Sequence, residues 1–383
     1  MKAIPYGRQD ITAADIEAVT RVLQSDYLTT GPTVKEFEDK FANYVGAKHA
    51  VAIANATVGL HLCTMVMGVK PGSKVITTPI TFAASANCVR YCGGEVDFVD
   101  IDPNNLLMDL DQLEMKLDMA PAGTYSGVIP VDFAGYPIDV VRLREIADRH
   151  KLWIIEDACH APGGYLVDKE GTAQYCGNGA YSDLTVFSFH PVKHIACGEG
   201  GMITTNDSSL YRRLMTLRTH GITKETDILE ENHGGWYYEM HELGYNYRIT
   251  DIQAALGVSQ LDRASSGVIR RRAIAKRYDE AFKGTAIKTI RVPEHIGHAF
   301  HLYVIQVENR KGLYDRLREH KIYAQIHYIP VPSLPYYKRQ GFKMEDYPNA
   351  ADYYAHCISL PMYPSLTDEE QNFVIEQVKS FVN

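Results

Sequence analysis

Leu184-Thr-Val-Phe-Ser-Phe-His-Pro-Val-Lys-His-Ile-Ala-Cys-Gly-Glu-Gly-Gly201 begins as an apolar β-type run, bends at a proline, presents a lone lysine and closes in a glycine-rich turn. A lysine held between buried elements has its ammonium form disfavoured by desolvation, which lowers its pKa and frees the amine as a nucleophile. Carbonyl chemistry through a Schiff base needs that species. The competing reading is an ordinary loop lysine whose ammonium reaches water. The segment alone does not separate the two, and the rest of the chain has to.

Six further apolar runs resemble its first half, namely His49–Asn55, Lys74–Pro79, Glu95–Ile101, Tyr125–Ala134, Leu152–Cys159 and Gly201–Asn206. With Leu184–His190 they make seven candidate strands. Several are continuously apolar, Trp153-Ile-Ile155 and Val128-Ile-Pro-Val131 among them, as in strands covered on both faces. Helical patterns alternate with them. Thr12-x-x-Asp15 resembles a capping box, and Val140, Val141, Leu143, Ile146 and Ala147 form one stripe over Asp139–His150. This alternation predicts an α/β fold with a mostly parallel sheet. After about residue 250 the pattern changes. Helices are expected over Ile249–Leu261 and Ala264–Phe282, then short runs at His301–Val307, Leu313–His320 and Ile322–Tyr328, and a last helix capped by Thr367-x-x-Glu370. The expected division is a large α/β domain over 1–260 and a smaller α+β domain over 261–383. A (β/α)₈ barrel would need an eighth strand–helix unit that the C-terminal third does not supply.

The chain's 383 residues allow a real core, and 45% apolar with 22% charged residues is ordinary for a globular enzyme. A net charge of −8 and the lack of Lys/Arg runs argue against a nucleic-acid partner. No stretch reaches the roughly 18 apolar residues of a membrane span, and no signal peptide is read after Met1. Seven scattered cysteines suit a reducing cytoplasm better than a disulfide framework. Cys88 and Cys92 stand at helical spacing with no second pair, so they read as small buried residues and no metal site is expected.

In open α/β sheets ligands sit beyond the C-terminal strand ends. There, Asn55-Ala-Thr-Val-Gly59 opens a helix whose free amides, with the Thr57 hydroxyl, suit a phosphate; a plain helix cap is the alternative. Phe82, past the second strand, suits stacking on a flat ring or an ordinary core position. Asp157 ends a strongly apolar strand and needs a cationic partner, either a protonated ring nitrogen or a nearby Arg or Lys. The next strand delivers Ser188 and then Lys193. A phosphate, a flat ring, a basic ring nitrogen and an aldehyde together describe pyridoxal 5′-phosphate.

Leu28-Thr-Thr-Gly-Pro32, Asn55-Ala-Thr57, Thr78-Pro-Ile-Thr-Phe82, Glu156-Asp-Ala-Cys-His160, Phe187-Ser-Phe-His-Pro-Val-Lys193, Gly198-Glu-Gly-Gly201, Arg218-Thr-His-Gly221, Gly244-Tyr-Asn-Tyr-Arg248, His301-Leu-Tyr303 and His327-Tyr-Ile-Pro330 together resemble the DegT/DnrJ/StrS sugar aminotransferases over nearly the whole chain. The resemblance implies the fold type I architecture of pyridoxal-phosphate-dependent transferases. It implies that Lys193 holds the cofactor covalently and then moves the proton. It also implies that Asp157 pairs with the ring nitrogen, that His160 lies near the phenolic oxygen and that Phe82 covers a ring face. Ala56, Thr57 and Ser188 would bind the phosphate, joined by Asn246 of a second subunit in a homodimer. Two departures stand out. Many relatives have Ser-Gly-Thr at Asn55-Ala-Thr57. Relatives that dehydrate sugars carry histidine at the position of Lys193, whereas here histidine follows at 194.

Val131-Asp-Phe-Ala-Gly135 and Phe189-His-Pro-Val-Lys-His-Ile195 most resemble the branch acting at C4 of UDP-4-keto-6-deoxy-N-acetylhexosamines, pseudaminic-acid biosynthesis included. The implied reaction takes the amino group from L-glutamate. GDP- or dTDP-linked (perosamine-type) sugars, a dehydratase and a non-enzymatic regulator are the alternatives, the last without a helix-turn-helix or basic patch to support it. Arg248 is a candidate for the diphosphate. Gly234-Gly-Trp-Tyr-Tyr238 reads equally as a stacking lid or dimer packing, Tyr328 as nucleotide pocket or chain turn, and His301 and His327 as substrate ligands or structural hydrogen-bonders.

Overall fold

A computed structural model describes residues 3–382 and leaves out Met1, Lys2 and Asn383. The seven expected strands form one sheet: β1 His49–Ile53, β2 Lys74–Thr77, β3 Glu95–Phe98, β4 Gly127–Ile129, β5 Trp153–Asp157, β6 Leu184–Ser188 and β7 Gly201–Thr205. Their order is β1-β7-β6-β5-β4-β2-β3. β7 pairs antiparallel with both β1 and β6, and every other pairing is parallel, so six strands run one way and β7 alone runs back.

Side chains alternate across the sheet with the period of two that extended chain imposes. Val51, Ile53, Val186 and Ile203 enter one core cluster with Leu60 and Cys63 of helix α1 (Ala56–Val66). Ala50, Ala52, Phe187 and Met202 enter another on the opposite face. There Phe37 and Phe41 pack against Phe187 and Phe189, with ring centroids 4.9 to 5.3 Å apart. Coverage on both faces explains why these strands read as unbroken apolar runs.

Several expected elements are shorter in the structure. The run Tyr125–Ala134 is a strand only over Gly127–Ile129, because Pro130 has no N–H for the ladder and Phe133–Gly135 coils into a 3-10 turn. Ile322–Tyr328 is a strand for two residues, Ile322–Tyr323, and Ile4–Pro5 pairs with it in parallel. A hairpin, Tyr165–Val167 with Ala173–Tyr175, was not anticipated; it pairs onward with Ile296–Gly297. The helices are closer to expectation: α2 Val140–His150, α3 Asp251–Leu261 and α4 Ala264–Phe282. Among the described residues no helix is long and apolar enough to cross a membrane.

Past α4, strands β8 Lys288–Thr289, β9 Tyr303–Gln306 and β10 Cys357–Leu360 form an antiparallel sheet. Ile274, Tyr278, Ile305, Ile358, Val374 and Val378 make its core, which Ile4 of the N-terminal strand joins. Leu302, Val304, Val331 and Tyr337 belong instead to the core of the large sheet, packed with Ile76, Phe98 and Val128. C-terminal segments therefore close directly over the strand ends.

Phe41 is fully buried and touches the strand that carries Ser188. Phe41→Ala leaves a cavity there, and the expected loss is roughly 3–5 kcal/mol. Denaturant unfolding that shows less than about 1 kcal/mol would contradict this packing.

Candidate active site

The C-terminal ends of β1, β2, β5 and β6 open into a cavity of about 600 Å³. β1 ends at α1, where the Asn55 side chain accepts from the Val58 N–H (3.1 Å). The amides of Ala56 and Thr57, next in that first turn, have no intrahelical acceptor and carry the positive end of the helix dipole. β7 begins beside them at Gly201. A side-chain carbon on Gly201 would sit 2.8 Å from the Ala56 nitrogen and 2.9 Å from the Phe187 oxygen. Only glycine lets these segments approach so closely.

Asp157 ends β5, buried, and accepts from the Ser85 hydroxyl at 2.6 Å and the Cys159 N–H at 3.2 Å. Ser85 is in turn 2.7 Å from the Thr81 hydroxyl. Among the described residues no Lys, Arg or His side chain forms an ion pair with Asp157. The Arg or Lys salt bridge weighed from the sequence is thus not what holds it, and the buried carboxylate faces the cavity with hydrogen bonds and no direct ion pair, Lys193 acting on it only at longer range.

Lys193 lines the same cavity, its Nζ 3.4 Å from His301 Nε2. Burial lowers the Lys193 pKa to about 8, against the pull of Cys159 and Asp157 toward the charged form. The lysine is only partly open to solvent in the structure, so desolvation of its amine accounts for the shift. Burial and then the Lys193 charge hold His160 and His301 well below the usual histidine range, and His327 falls to about 3 for the same reasons. The Ala134 N–H donates to His160 Nδ1 (3.2 Å). The neutral ring therefore carries its proton on Nε2, 3.0 Å from the Tyr328 hydroxyl oxygen.

Ala56, Thr57, Phe82, Asp157, His160, Ser188, Lys193, His327 and Tyr328 thus meet in one cavity. Phe82 is 62% exposed at its edge, 6.2 Å from the Tyr328 ring, and not in the core. His327 Nδ1 lies 2.8 Å from the Ser359 hydroxyl, so one ring edge is held structurally while the residue lines the cavity. Asn246, exposed, and Arg248, half-buried, stand outside the lining. Among the lining or supporting residues that the sequence reading gave no role are Ser85, Thr81 and Tyr6. Ser85 and Thr81 share helical spacing beyond the second strand, a usable signal. Tyr6 reaches the cavity only through the pairing of its neighbours with Ile322–Tyr323, which nothing local announces. Asp132, Glu156 and Cys176 also gather together, all buried; burial and then Glu156 push the Asp132 carboxyl well above the usual carboxylate range.

In cofactor-free protein, modification of Lys193 by an amine-directed reagent should rise through pH about 8, some two units below ordinary lysines at ~10.4. The sign follows from the shift, since the free amine dominates above the folded pKa. A midpoint near that of surface lysines, read by peptide mass mapping, would remove the desolvated-amine assignment.

The chain is 39% identical over 388 residues to the spore coat polysaccharide biosynthesis protein SpsC of Bacillus subtilis, covering 99% of this chain and 97% of that protein. It is 32% identical over 386 residues to the UDP-4-amino-4,6-dideoxy-N-acetyl-beta-L-altrosamine transaminase of Campylobacter jejuni, covering 99% and 97%. Among solved structures, Spr1654 from Streptococcus pneumoniae in its PLP form superposes with a TM-score of 0.90 at 32% identity, over 99% of this chain and 98% of that one. Residues 9–379 match the sequence profile of one family. With lysine, aspartate and helix N-terminus converging on one cavity, the chain belongs to the DegT/DnrJ/EryC1/StrS aminotransferase family, pyridoxal 5′-phosphate-dependent transaminases of the fold type I architecture.

Proposed function

We propose that this aminotransferase moves the amino group of L-glutamate to the C4 keto carbon of a UDP-4-keto-6-deoxy-N-acetylhexosamine. The observation that carries the reading is the convergence of Lys193, Asp157 and the first turn of α1 on one cavity. End-to-end similarity to a transaminase named for a UDP-linked 4-amino-4,6-dideoxy sugar supports the substrate class.

The residues present fit pyridoxal phosphate. Close backbone packing at Gly201 holds the first turn of α1 against the cavity, where a phosphate would accept from Ala56 and Thr57 N–H groups and the Ser188 hydroxyl. Asp157, without a direct ion-pair partner among the described residues, is suited to a protonated ring nitrogen. When bound, the cofactor supplies an electron sink for the carbon from which a proton leaves. Lys193, with its pKa near 8, takes and returns that proton close to neutral pH. His160, neutral and held by the Ala134 amide, keeps its Nε2 proton on Tyr328, which leaves the Tyr328 O–H free to donate into the cavity. Phe82, exposed at the cavity edge, would cover one ring face and exclude water. His327 and Tyr328 are assigned to the sugar, and Arg248 to the diphosphate once a second subunit is present.

The functional unit in this reading is a homodimer. Asn246 lies outside its own cavity, as a residue serving a neighbour's phosphate would. Trp236, Tyr238, Met240 and Leu243 are all exposed on the same segment, which favours subunit packing over a free lid. The division into a cofactor part over 1–260 and a smaller part over 261–383 is supported by the separate core under β8–β10. Seven free cysteines support a cytoplasmic location.

Adding L-glutamate to cofactor-loaded protein should bleach its visible absorption band, and a UDP-4-keto-6-deoxy-N-acetylhexosamine should restore it. Lys193→Ala should lose both band and turnover while keeping its native size. A band that glutamate leaves unchanged would refute the donor half of the reading. Gly201→Ala should weaken cofactor affinity at least about tenfold by displacing the first-turn amides; wild-type affinity in a spectral titration would relocate the phosphate.

A further inference from the structure

A second cavity, of about 230 Å³, lies behind Lys193. At Gly7 the N-terminal segment crosses Val192, where a side-chain carbon would sit 3.5 Å from Val192 Cβ. Tyr6 on one side of this crossing lines the cofactor cavity, and Arg8 on the other lines the second one. The segment is therefore a wall between two compartments that share Lys193.

The second compartment is rich in guanidinium groups. Arg263 is paired with Asp15 (2.5 Å) and Arg270 with Asp368 (3.0 Å). The other two have no such partner. Arg271 is 1% exposed and donates from one nitrogen to the carbonyls of Phe300, His301 and Met362, while its Nε has no acceptor. Arg8 forms no ion pair or side-chain hydrogen bond among the described residues, and lies 5.9 Å from the Tyr363 ring centroid. The one carboxylate in the lining is the exposed Asp10, whose backbone carbonyl accepts from Gln260 and Arg263. Main-chain carbonyls offer partial charges, whereas a buried guanidinium is compensated by a full anion.

We infer that this compartment is a second binding site, for a small oxyanion of the phosphate or carboxylate type, held by Arg8 and Arg271. A planar guanidinium fork matches either group. The site is separate from the phosphate cradle at Ala56, which lies across the wall. Arg271 is close enough to disfavour the Lys193 ammonium, and an anion bound beside it reverses that sign. Occupancy therefore makes Lys193 a poorer nucleophile; this consequence rests on the proposed role of Lys193, but the binding does not.

The test is calorimetric titration of inorganic phosphate, and separately of glutarate, into cofactor-loaded protein, whose cradle is already filled, at constant ionic strength set with chloride. One saturable site per chain is expected, weakened about tenfold in Arg8→Gln. Tighter phosphate identifies a free anion as the ligand, and tighter glutarate identifies the carboxylate of the amino donor. Arg8 is exposed, so Arg8→Gln should retain the wild-type circular dichroism. No saturable heat, or equal affinity in wild type and Arg8→Gln, overturns the site. A midpoint of the visible band's pH titration that phosphate does not raise overturns the coupling to Lys193. Protein that takes up no cofactor counts against the proposed function alone, and the comparison with Arg8→Gln still decides the anion site.

Discussion

At Gly201 three stretches of backbone meet with no room for a side chain. The reversed strand β7 starts there, flanked by β1 on one side and β6 on the other, with Gly201 in register with both Ile53 and Ser188. Any Cβ would strike the Ala56 amide, the Asn55 carbonyl carbon or the Phe187 oxygen. This closeness holds the first turn of α1 beside the strand that leads to Lys193. The proposed phosphate cradle and the proposed nucleophile are fixed relative to one another by backbone packing, with no side-chain contact between them required.

The electrostatics of the cavity follow from burial more than from pairing. His160, His301 and His327 are all held neutral by desolvation and by the nearby lysine. Asp157 is held by a hydroxyl and an amide and forms no direct ion pair among the described residues, which leaves room beside it for a cationic group. A low-dielectric pocket with one buried carboxylate and one depressed lysine favours a ligand that brings its own cation and its own electrophile. Family membership and this charge pattern agree on the same cofactor.

The central sheet was legible in the sequence because its strands are buried on both faces, and burial on both faces leaves an unbroken apolar run. All seven runs became strands of one sheet. Their ends were less legible. Pro130 shows how a missing N–H truncates a run that hydropathy alone would extend. The hairpin at Tyr165–Tyr175 and the pair Ile4–Pro5 with Ile322–Tyr323 are too short to carry a periodic signal, and they exist because distant segments supply their partners.

The same division runs through the site. Strand ends, Lys193, Asp157, the first turn of α1 and the flat-ring candidate Phe82 were determined by the sequence itself, since each sits at a fixed offset from a recognisable strand. Their surroundings were decided by the tertiary structure. Ser85 on Asp157, Ala134 on His160, Tyr6 at the cavity wall and Arg271 behind Lys193 all come from segments 26 or more residues away in the chain. Local sequence encodes which groups are brought to the cavity. Their protonation and partners depend on desolvation, which exists only once remote segments have closed over them.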